Sequence, residues 1–345
     1  MKTAVPKTES PRLAWVDAAR ALAIYLVILG HTLPNTHPVY RFLFAFHMPA
    51  FFFLSGYCFH YDPQRASFGR YTAGKVRSLL IPYGIFCLLG VLIMQIFPAE
   101  WRPEQPLRWF LVQYFYYTQP PALGQSWFLV CLFFASLILF CIFRLQTEVK
   151  PRWLILSGLL LAFAGTVVAP RMVVVPYERI PWMLDSAMAA VPFMIAGYLL
   201  RQRGFPVKLP KSLRLAGILL LPVLIWLFGM RLNGRVNLCD RTYDHPVCYY
   251  AAAMAGCLWI SLLGQLLEEQ RWMTWLGRNS LPIFGIHSFV LWCWVTAAGR
   301  IVGDLEVRPA GIRGLVLPVL TYLCCVPFAV LWNHSFERLI RKKGA

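Results

Sequence analysis

Two polar residues, Arg20 and His31, lie inside the first long apolar segment of the chain, from Trp15 to Leu33. They are eleven residues apart, which on an α-helix is three turns plus about 20°, so both share one face, roughly 16 Å apart along the axis. Charged residues within such segments are costly and usually line a cavity or pathway. The spacing suggests a reaction centre in which Arg20 anchors an anion and His31 exchanges a proton. The alternative is a structural histidine and an arginine paired with Asp17, one turn earlier.

Three further side chains could line such a centre. His47 follows an aromatic run and could contact an acceptor group, an oxyanion or His31, although an interfacial histidine would show the same pattern. Ser55 either bonds a carbonyl of its own helix or lines the cavity, and Trp127 either packs beside the cavity or faces lipid. His287, inside a later apolar segment, is read as a structural polar link rather than a catalyst.

Two basic residues, Lys75 and Arg77, stand at the start of the third apolar segment. They could hold the phosphates of a donor molecule, because guanidinium and ammonium groups both bind phosphate. Basic anchoring at the membrane surface predicts the same residues without any ligand. Among the carboxylates, Asp185 is the one expected to face a cavity.

The composition indicates what kind of protein positions these residues. Of 345 residues, 59% are hydrophobic and 14% are charged, whereas soluble domains carry about 25% charged residues. Apolar segments of about 20 residues recur along the chain, which predicts an all-α, polytopic integral membrane protein with about ten transmembrane helices. The predicted spans are 13–33, 42–60, 79–97, 127–143, 153–169, 185–200, 215–230, 249–267, 281–299 and 314–332.

The net charge of +18 does not indicate nucleic-acid binding, because the basic residues fall in short loops between spans. Alternate loops hold 21 and 11 basic residues, and this bias predicts that both termini are cytoplasmic. The chain then divides into an N-terminal tail (1–12), a membrane domain (13–332) and a basic C-terminal tail (333–345). No zinc-type Cys/His spacing, P-loop or dinucleotide fingerprint is present, and no metal is expected.

Two predicted outer segments are longer than the rest. The segment 98–126 is rich in Trp and Tyr, which indicates an interfacial aromatic belt or, alternatively, a platform against a sugar. The segment 231–248 contains Cys239 and Cys248, and on an oxidising side of the membrane these could either form a disulfide or remain free.

Five motifs together resemble the integral-membrane acyltransferase 3 family. They are Asp17-Ala-Ala-Arg20 followed after ten residues by His31, the stretch Phe46–Tyr57, the basic stretch Lys75–Tyr83, Ser126–Leu129, and Leu276–His287. The likeness extends from Trp15 to the last span and is nearest to the sugar O-acetylase branch. One departure is that the basic motif reads Lys75-x-Arg77, where the family often has two arginines three residues apart.

The resemblance implies a bacterial inner-membrane O-acyltransferase that moves acetyl from acetyl-CoA to a sugar hydroxyl of an exopolysaccharide, surface polysaccharide or lipid-linked precursor. His31 would be the general base, helped by His47, and Arg20, Lys75 and Arg77 would bind the donor, with Asp17, Ser55 and Trp127 in support. Arg20 and His31 would then mark the two ends of one tunnel. Expected partners are membrane lipid, the glycan acceptor and polysaccharide synthesis or export machinery. The alternatives are a transporter or flippase for a lipid-linked sugar or small anion, or a non-catalytic partner in such a complex.

Overall fold

The structure, a computed structural model, describes residues 13–64, 66–96, 107–120, 123–146, 148–172, 179–302 and 310–335. Within these ranges it contains α-helices and no β-strand beyond a single isolated bridge between Asn237 and Thr242. Ten helical segments of the described chain are long and apolar enough to cross a membrane. The prediction of an all-α polytopic membrane protein with ten spans is confirmed, while the cytoplasmic location of both termini stays a prediction.

The helices follow the predicted spans closely, and three short helices accompany them. They are α1 (Ala14–Thr32), α2 (Pro38–Phe44), α3 (His47–Tyr57), α4 (Phe68–Lys75), α5 (Ile81–Ile96), α6 (Leu107–Phe115), α7 (Trp127–Arg144), α8 (Pro151–Phe163), α9 (Leu184–Gln202), α10 (Lys211–Trp226), α11 (Pro246–Leu266), α12 (Arg271–Arg278), α13 (Ser280–Val302) and α14 (Ala310–Ser335). The predicted N-terminal tail at 1–12 and residues 336–345 of the predicted C-terminal tail lie outside the described residues.

Helix α1 occupies the centre of the bundle and packs against α3, α11, α12, α13 and α14. Its burial contrasts with that of the peripheral helices, because 61% of α1 is buried but only 11% of the segment Lys211–Arg231. A helix that is apolar all round and buried inside a bundle belongs to the protein core, whereas an exposed apolar helix faces lipid. The helix that carries Arg20 and His31 is therefore surrounded by protein along most of its length.

The second span is broken, which the sequence prediction of one helix over 42–60 did not include. Phe46 has φ −144° and ψ −18°, so α2 ends and α3 begins at His47. Pro49 then stands in the first turn of α3, where its missing N–H removes no intrahelical hydrogen bond. The break turns the His47 ring back to the carbonyl of Leu43, at 2.8 Å from Nδ1.

Close packing between α3 and α9 fixes the second span against the bundle. A Cβ atom at Gly56 would lie 2.0 Å from the Met194 carbonyl oxygen, and one at Gly197 would lie 2.1 Å from the Phe53 carbonyl oxygen. No side chain fits at either crossing, so the two glycines let the backbones touch. This contact holds α3, and His47 at its start, in a defined position.

The short amphipathic helix α12 was not predicted. It packs on the first turns of α1 through Met273 and Gly277, while Trp272 is exposed. Its contact with α1 is so close that a Cβ atom at Gly277 would lie 1.7 Å from the Asp17 carbonyl oxygen. Helix α12 therefore encloses the end of α1 that carries Asp17 and Arg20.

Candidate functional site

A cavity of about 440 Å³ opens at the end of α1 that carries His31. The described residues that build it come from the last turns of α1, the α2–α3 junction, the start of α7 with the turn before it and Gln119, and the first half of α13. A segment of the loop between α10 and α11, Asn237–Asp240, covers the remaining side. The cavity thus combines membrane helices with a loop that the charge bias predicts to be outside.

Three histidines gather at the inner side of this cavity. His31 and His47 both line it. The fully buried His287 of α13 places its ring centroid 5.4 Å from that of His31. Phe44 contacts both cavity histidines edge-on, with centroids 6.0 Å from His31 and 4.6 Å from His47. Among the described residues no group of three or more His, Cys, Asp or Glu side chains is arranged to hold a metal ion.

The hydrogen bonds of the three rings differ. Nδ1 of His47 lies 2.8 Å from the Leu43 carbonyl and Nδ1 of His287 lies 2.7 Å from the Phe284 carbonyl. A carbonyl oxygen only accepts, so both Nδ1 atoms must carry the proton and Nε2 accepts when the ring is neutral. Within the described chain, neither ring nitrogen of His31 has a hydrogen-bond partner, and its side chain is exposed. His31 is therefore the ring that is free to bond a ligand in the cavity.

Of the other predicted site residues near this end, Trp127 lines the cavity and Ser55 does not. Trp127 opens α7 directly after the turn Gly124–Ser126 and is 7% exposed. In that turn, Gln125 donates from Nε2 to the Gly285 carbonyl at 3.0 Å, which ties α7 to α13. Ser55 is half-buried on α3, outside the cavity wall.

The predicted donor-binding residues lie together at the opposite end of α1. Arg20 bonds Asp17 at 3.5 Å, and Asp17 also accepts from Arg278 of α12 at 3.3 Å. The Lys75 ammonium lies close enough to the Arg20 guanidinium for the two positive charges to interact. The Arg20 guanidinium also donates a hydrogen bond of 3.8 Å to the Cys58 sulfur. The Arg20 side chain keeps 29% of its surface exposed, so its charge is held in place but remains accessible.

Arg77 extends this basic end to the surface. It is exposed on the π-helical turn Val76–Leu80, which joins α4 to α5. Arg20, Lys75 and Arg77 thus lie on one side of the bundle.

The sequence predicts a single continuous tunnel from Arg20 to His31, and the described residues do not form one. Arg20 does not line the cavity at His31, and Ile24, which lies between them on α1, is fully buried in the hydrophobic core. Side chains of this size close the path in a well-packed bundle. In this conformation, packed core side chains therefore separate the predicted donor-binding residue Arg20 from the predicted base His31.

The loop between α10 and α11 is held by a buried ion network. Asp185, at the start of α9, bonds Arg179 at 2.8 Å and Arg241 at 3.5 Å. The expectation that Asp185 faces a cavity is wrong, because it is fully buried and is bonded by Arg179 from the chain just before α9 and by Arg241 from the loop between α10 and α11. Its role is to fix the loop, since a buried carboxylate needs charged partners.

Cys239 and Cys248 are free thiols in the structure, so the disulfide alternative is not what the fold uses. The Cys239 sulfur instead accepts a hydrogen bond from Gln119 at 2.8 Å. The bridge between Asn237 and Thr242, with hydrogen bonds of 2.9 and 3.0 Å, closes the loop.

Several cavity residues were not predicted from the sequence, namely Gln119, Gln125, Asn237, Asp240 and Ser288. Gln125 directly precedes the motif Ser126–Leu129, which is the one signal that could have indicated it. Gln119, Asn237 and Asp240 come from loops, where polar residue types carry no such signal, whereas Ser288 lies in α13 directly after the motif Leu276–His287. The sequence predicts His287 as a structural polar link, and in the structure its ring lies against that of His31 at the cavity.

Residues 13–334 match a family model described as an acyltransferase domain, acyltransferase 3. The nodulation protein NolL of Sinorhizobium fredii (strain NBRC 101917 / NGR234) is similar over a shorter stretch, with 35% identity over 83 residues that cover 21% of this chain and 23% of that protein. The chain thus spans less than a quarter of the length of this curated relative. No solved structure matches the chain significantly.

Proposed function

The chain belongs to the acyltransferase 3 family, whose model covers nearly all of it, and from this premise we propose that it is a membrane O-acyltransferase. The reaction moves an acyl group, acetyl in the first instance, from acetyl-CoA to a sugar hydroxyl of an exopolysaccharide, surface polysaccharide or lipid-linked precursor. The protein resides in the bacterial inner membrane as a multi-pass protein. It works there beside lipid and the machinery that makes or exports the glycan.

The observation that carries this proposal is the free ring of His31 in the cavity. O-acylation requires a base close to the attacking hydroxyl, and an unbonded imidazole that faces a space of about 440 Å³ meets this requirement. His31 takes the proton of the hydroxyl, the oxygen bonds to the thioester carbonyl carbon, and the carbon–sulfur bond breaks to release the CoA thiolate, which takes the proton from His31. His47, whose Nε2 is available as an acceptor, assists at the same wall.

The opposite end of α1 supplies the donor site in this proposal. Arg20, Lys75 and Arg77 present guanidinium and ammonium groups at one surface, and phosphates of CoA bind such groups strongly. Asp17 orients Arg20 through their contact of 3.5 Å. The acyl-bearing arm of the donor then has to open a path beside Ile24 to bring the thioester to His31.

Two measurements on the full-length protein test the function. CoA or acetyl-CoA should raise the thermal unfolding midpoint of the purified protein in nanodiscs, and a proton gradient should have no effect on its activity. Mass spectrometry of glycans from a strain without the protein should show the loss of one acyl increment. Unchanged glycans together with no thermal shift would contradict an acyltransferase and favour a transporter.

A further inference from the structure

Part of the cavity lining forms a polar wall, built by Gln119, Asn237 and Asp240. We propose that this wall binds an uncharged, hydroxyl-rich sugar unit of the acceptor, with the Asp240 carboxylate as the main hydrogen-bond acceptor. The inference rests on the proposed function, because it assigns one of the two substrates to a part of the same cavity. Four kinds of observation support it.

The first is the charge of the lining. Among the described residues that line the cavity there is one carboxylate, Asp240, and no Lys or Arg. Phosphates bind most strongly to cationic groups, and the charged part of a CoA donor finds no such group among these residues. The cavity is therefore suited to an acceptor that donates hydrogen bonds, which is what sugar hydroxyls do.

The second is the set of atoms left for a ligand. The Asp240 Oδ2 atom accepts from Asn237 at 2.7 Å and from Arg235 at 3.3 Å, and neither bond uses Oδ1. Gln119 and Gln125 donate through Nε2 to Cys239 and Gly285, and those bonds leave their amide oxygens unused. Unused oxygen atoms in one cavity can accept from adjacent hydroxyls on a single sugar ring.

The third is the fixed position of the wall. The carbonyls of Leu238 and Cys239 accept from Ser186 at 2.8 Å and from Arg179 at 3.1 Å. Both donors lie in or beside the buried network around Asp185. A loop held in place before binding loses less conformational entropy when the ligand arrives.

The fourth is the apolar part of the same cavity. Phe44, Met48 and Trp127 line it together with the polar wall, His31 and His47. Binding sites typically combine mostly apolar walls with a few placed polar groups, and the C–H faces of a sugar pack on such walls. A sugar held at Asp240 would thus present a further hydroxyl toward His31.

The test compares Asp240→Asn with Arg235→Gln in the full-length protein in nanodiscs. Both variants break the Asp240–Arg235 ion pair, but only the first replaces the carboxylate. The acceptor probe is the glycan fraction, polymeric and lipid-linked, extracted from cells that lack this protein, and [¹⁴C]acetyl-CoA is the donor. The readouts are the apparent KM for the glycan and the thermal shift with CoA.

We expect Asp240→Asn to raise the apparent KM for the glycan about tenfold, the scale of one lost hydrogen bond to a charged group, while the CoA shift stays at the wild-type value. Arg235→Gln should keep the wild-type KM. A wild-type KM in Asp240→Asn overturns the inference, and so does an equal rise in both variants, which would indicate loop structure. A rise in Arg235→Gln alone would indicate an anionic acceptor and also overturns it. If wild-type protein transfers no acetyl and shows no CoA shift, the proposed function itself fails.

Discussion

His31 of α1 and His287 of α13 lie with ring centroids 5.4 Å apart and ring planes inclined at 39°. His287 is fully buried and bonded to its own helix through Phe284, whereas His31 is exposed to the cavity. The buried ring is therefore placed to restrict the orientation of the exposed one. This contact relates two residues that are 256 positions apart in the sequence.

Removal of the His31 ring should abolish acyl transfer without loss of the protein. We expect His31→Ala to lower kcat by a factor of about a hundred or more, as for the loss of a general base, with normal membrane expression. Glycan acylation and acetyl-CoA turnover measure the effect. His60→Ala, at an exposed position away from the cavity, is the control, and full activity of His31→Ala would remove the central claim.

His287 should act through His31. We expect His287→Phe to reduce kcat about tenfold, a coupling typical of side chains in contact, and to cause no further loss in a protein that already carries His31→Ala. Kinetics of the two single variants and the double variant measure this coupling. A further loss in the double variant would show that His287 acts independently.

The role of Arg20 can be separated from its ion pair with Asp17. Arg20 and Arg278 both bond this carboxylate, at 3.5 and 3.3 Å. If Arg20 binds the donor, Arg20→Gln should raise the KM for acetyl-CoA about tenfold or more, and Arg278→Gln should change only the thermal midpoint. If both variants lower the thermal midpoint equally and leave the KM for acetyl-CoA unchanged, the structural alternative for Arg20 is supported.

The thiol of Cys239 should react slowly with alkylating reagents. Burial, and secondarily the charge of Asp240, raises the pKa of this thiol above its ordinary value of 9.0, so at pH 8 it stays protonated. Since the thiolate is the nucleophile, its labelling should lag behind that of the exposed Cys58 and increase only as the pH rises further. Peptide mass spectrometry after timed iodoacetamide treatment gives both rates, and a Cys239–Cys248 disulfide in the peptide map would contradict the structure.

The crossing of α3 and α9 should tolerate no side chain. We expect Gly197→Ala to destabilise the protein by about 1–3 kcal/mol, the usual cost of overpacking, because the new Cβ would lie 2.1 Å from the Phe53 carbonyl. Gly84→Ala is the matched control, since nothing lies within 4 Å of a Cβ at that position. Thermal unfolding in nanodiscs compares the two, and equal midpoints would be inconsistent with the packing described.

The sequence was sufficient for the spans because the length of an apolar run is a local property. The sequence was not sufficient for the break at Phe46, because the break depends on Pro49 standing in the first turn of a new helix. It was not sufficient for α12 either, because that helix is short and is held mainly by its contact with α1. Arg20 and His31 could be singled out because a charge is conspicuous within an apolar helix. Asn237 and Asp240 could not, because polar residues are ordinary in a loop and only the folded chain brings this loop over the histidines.

The basic residues at one end of α1 and the free imidazole at the other have a consequence for how products leave. In the proposed reaction, spent coenzyme departs on the side where its phosphates are held, and the modified glycan departs on the far side. The enzyme would therefore carry one acetyl group across the bilayer at each turnover, while the coenzyme A that delivered it never crosses.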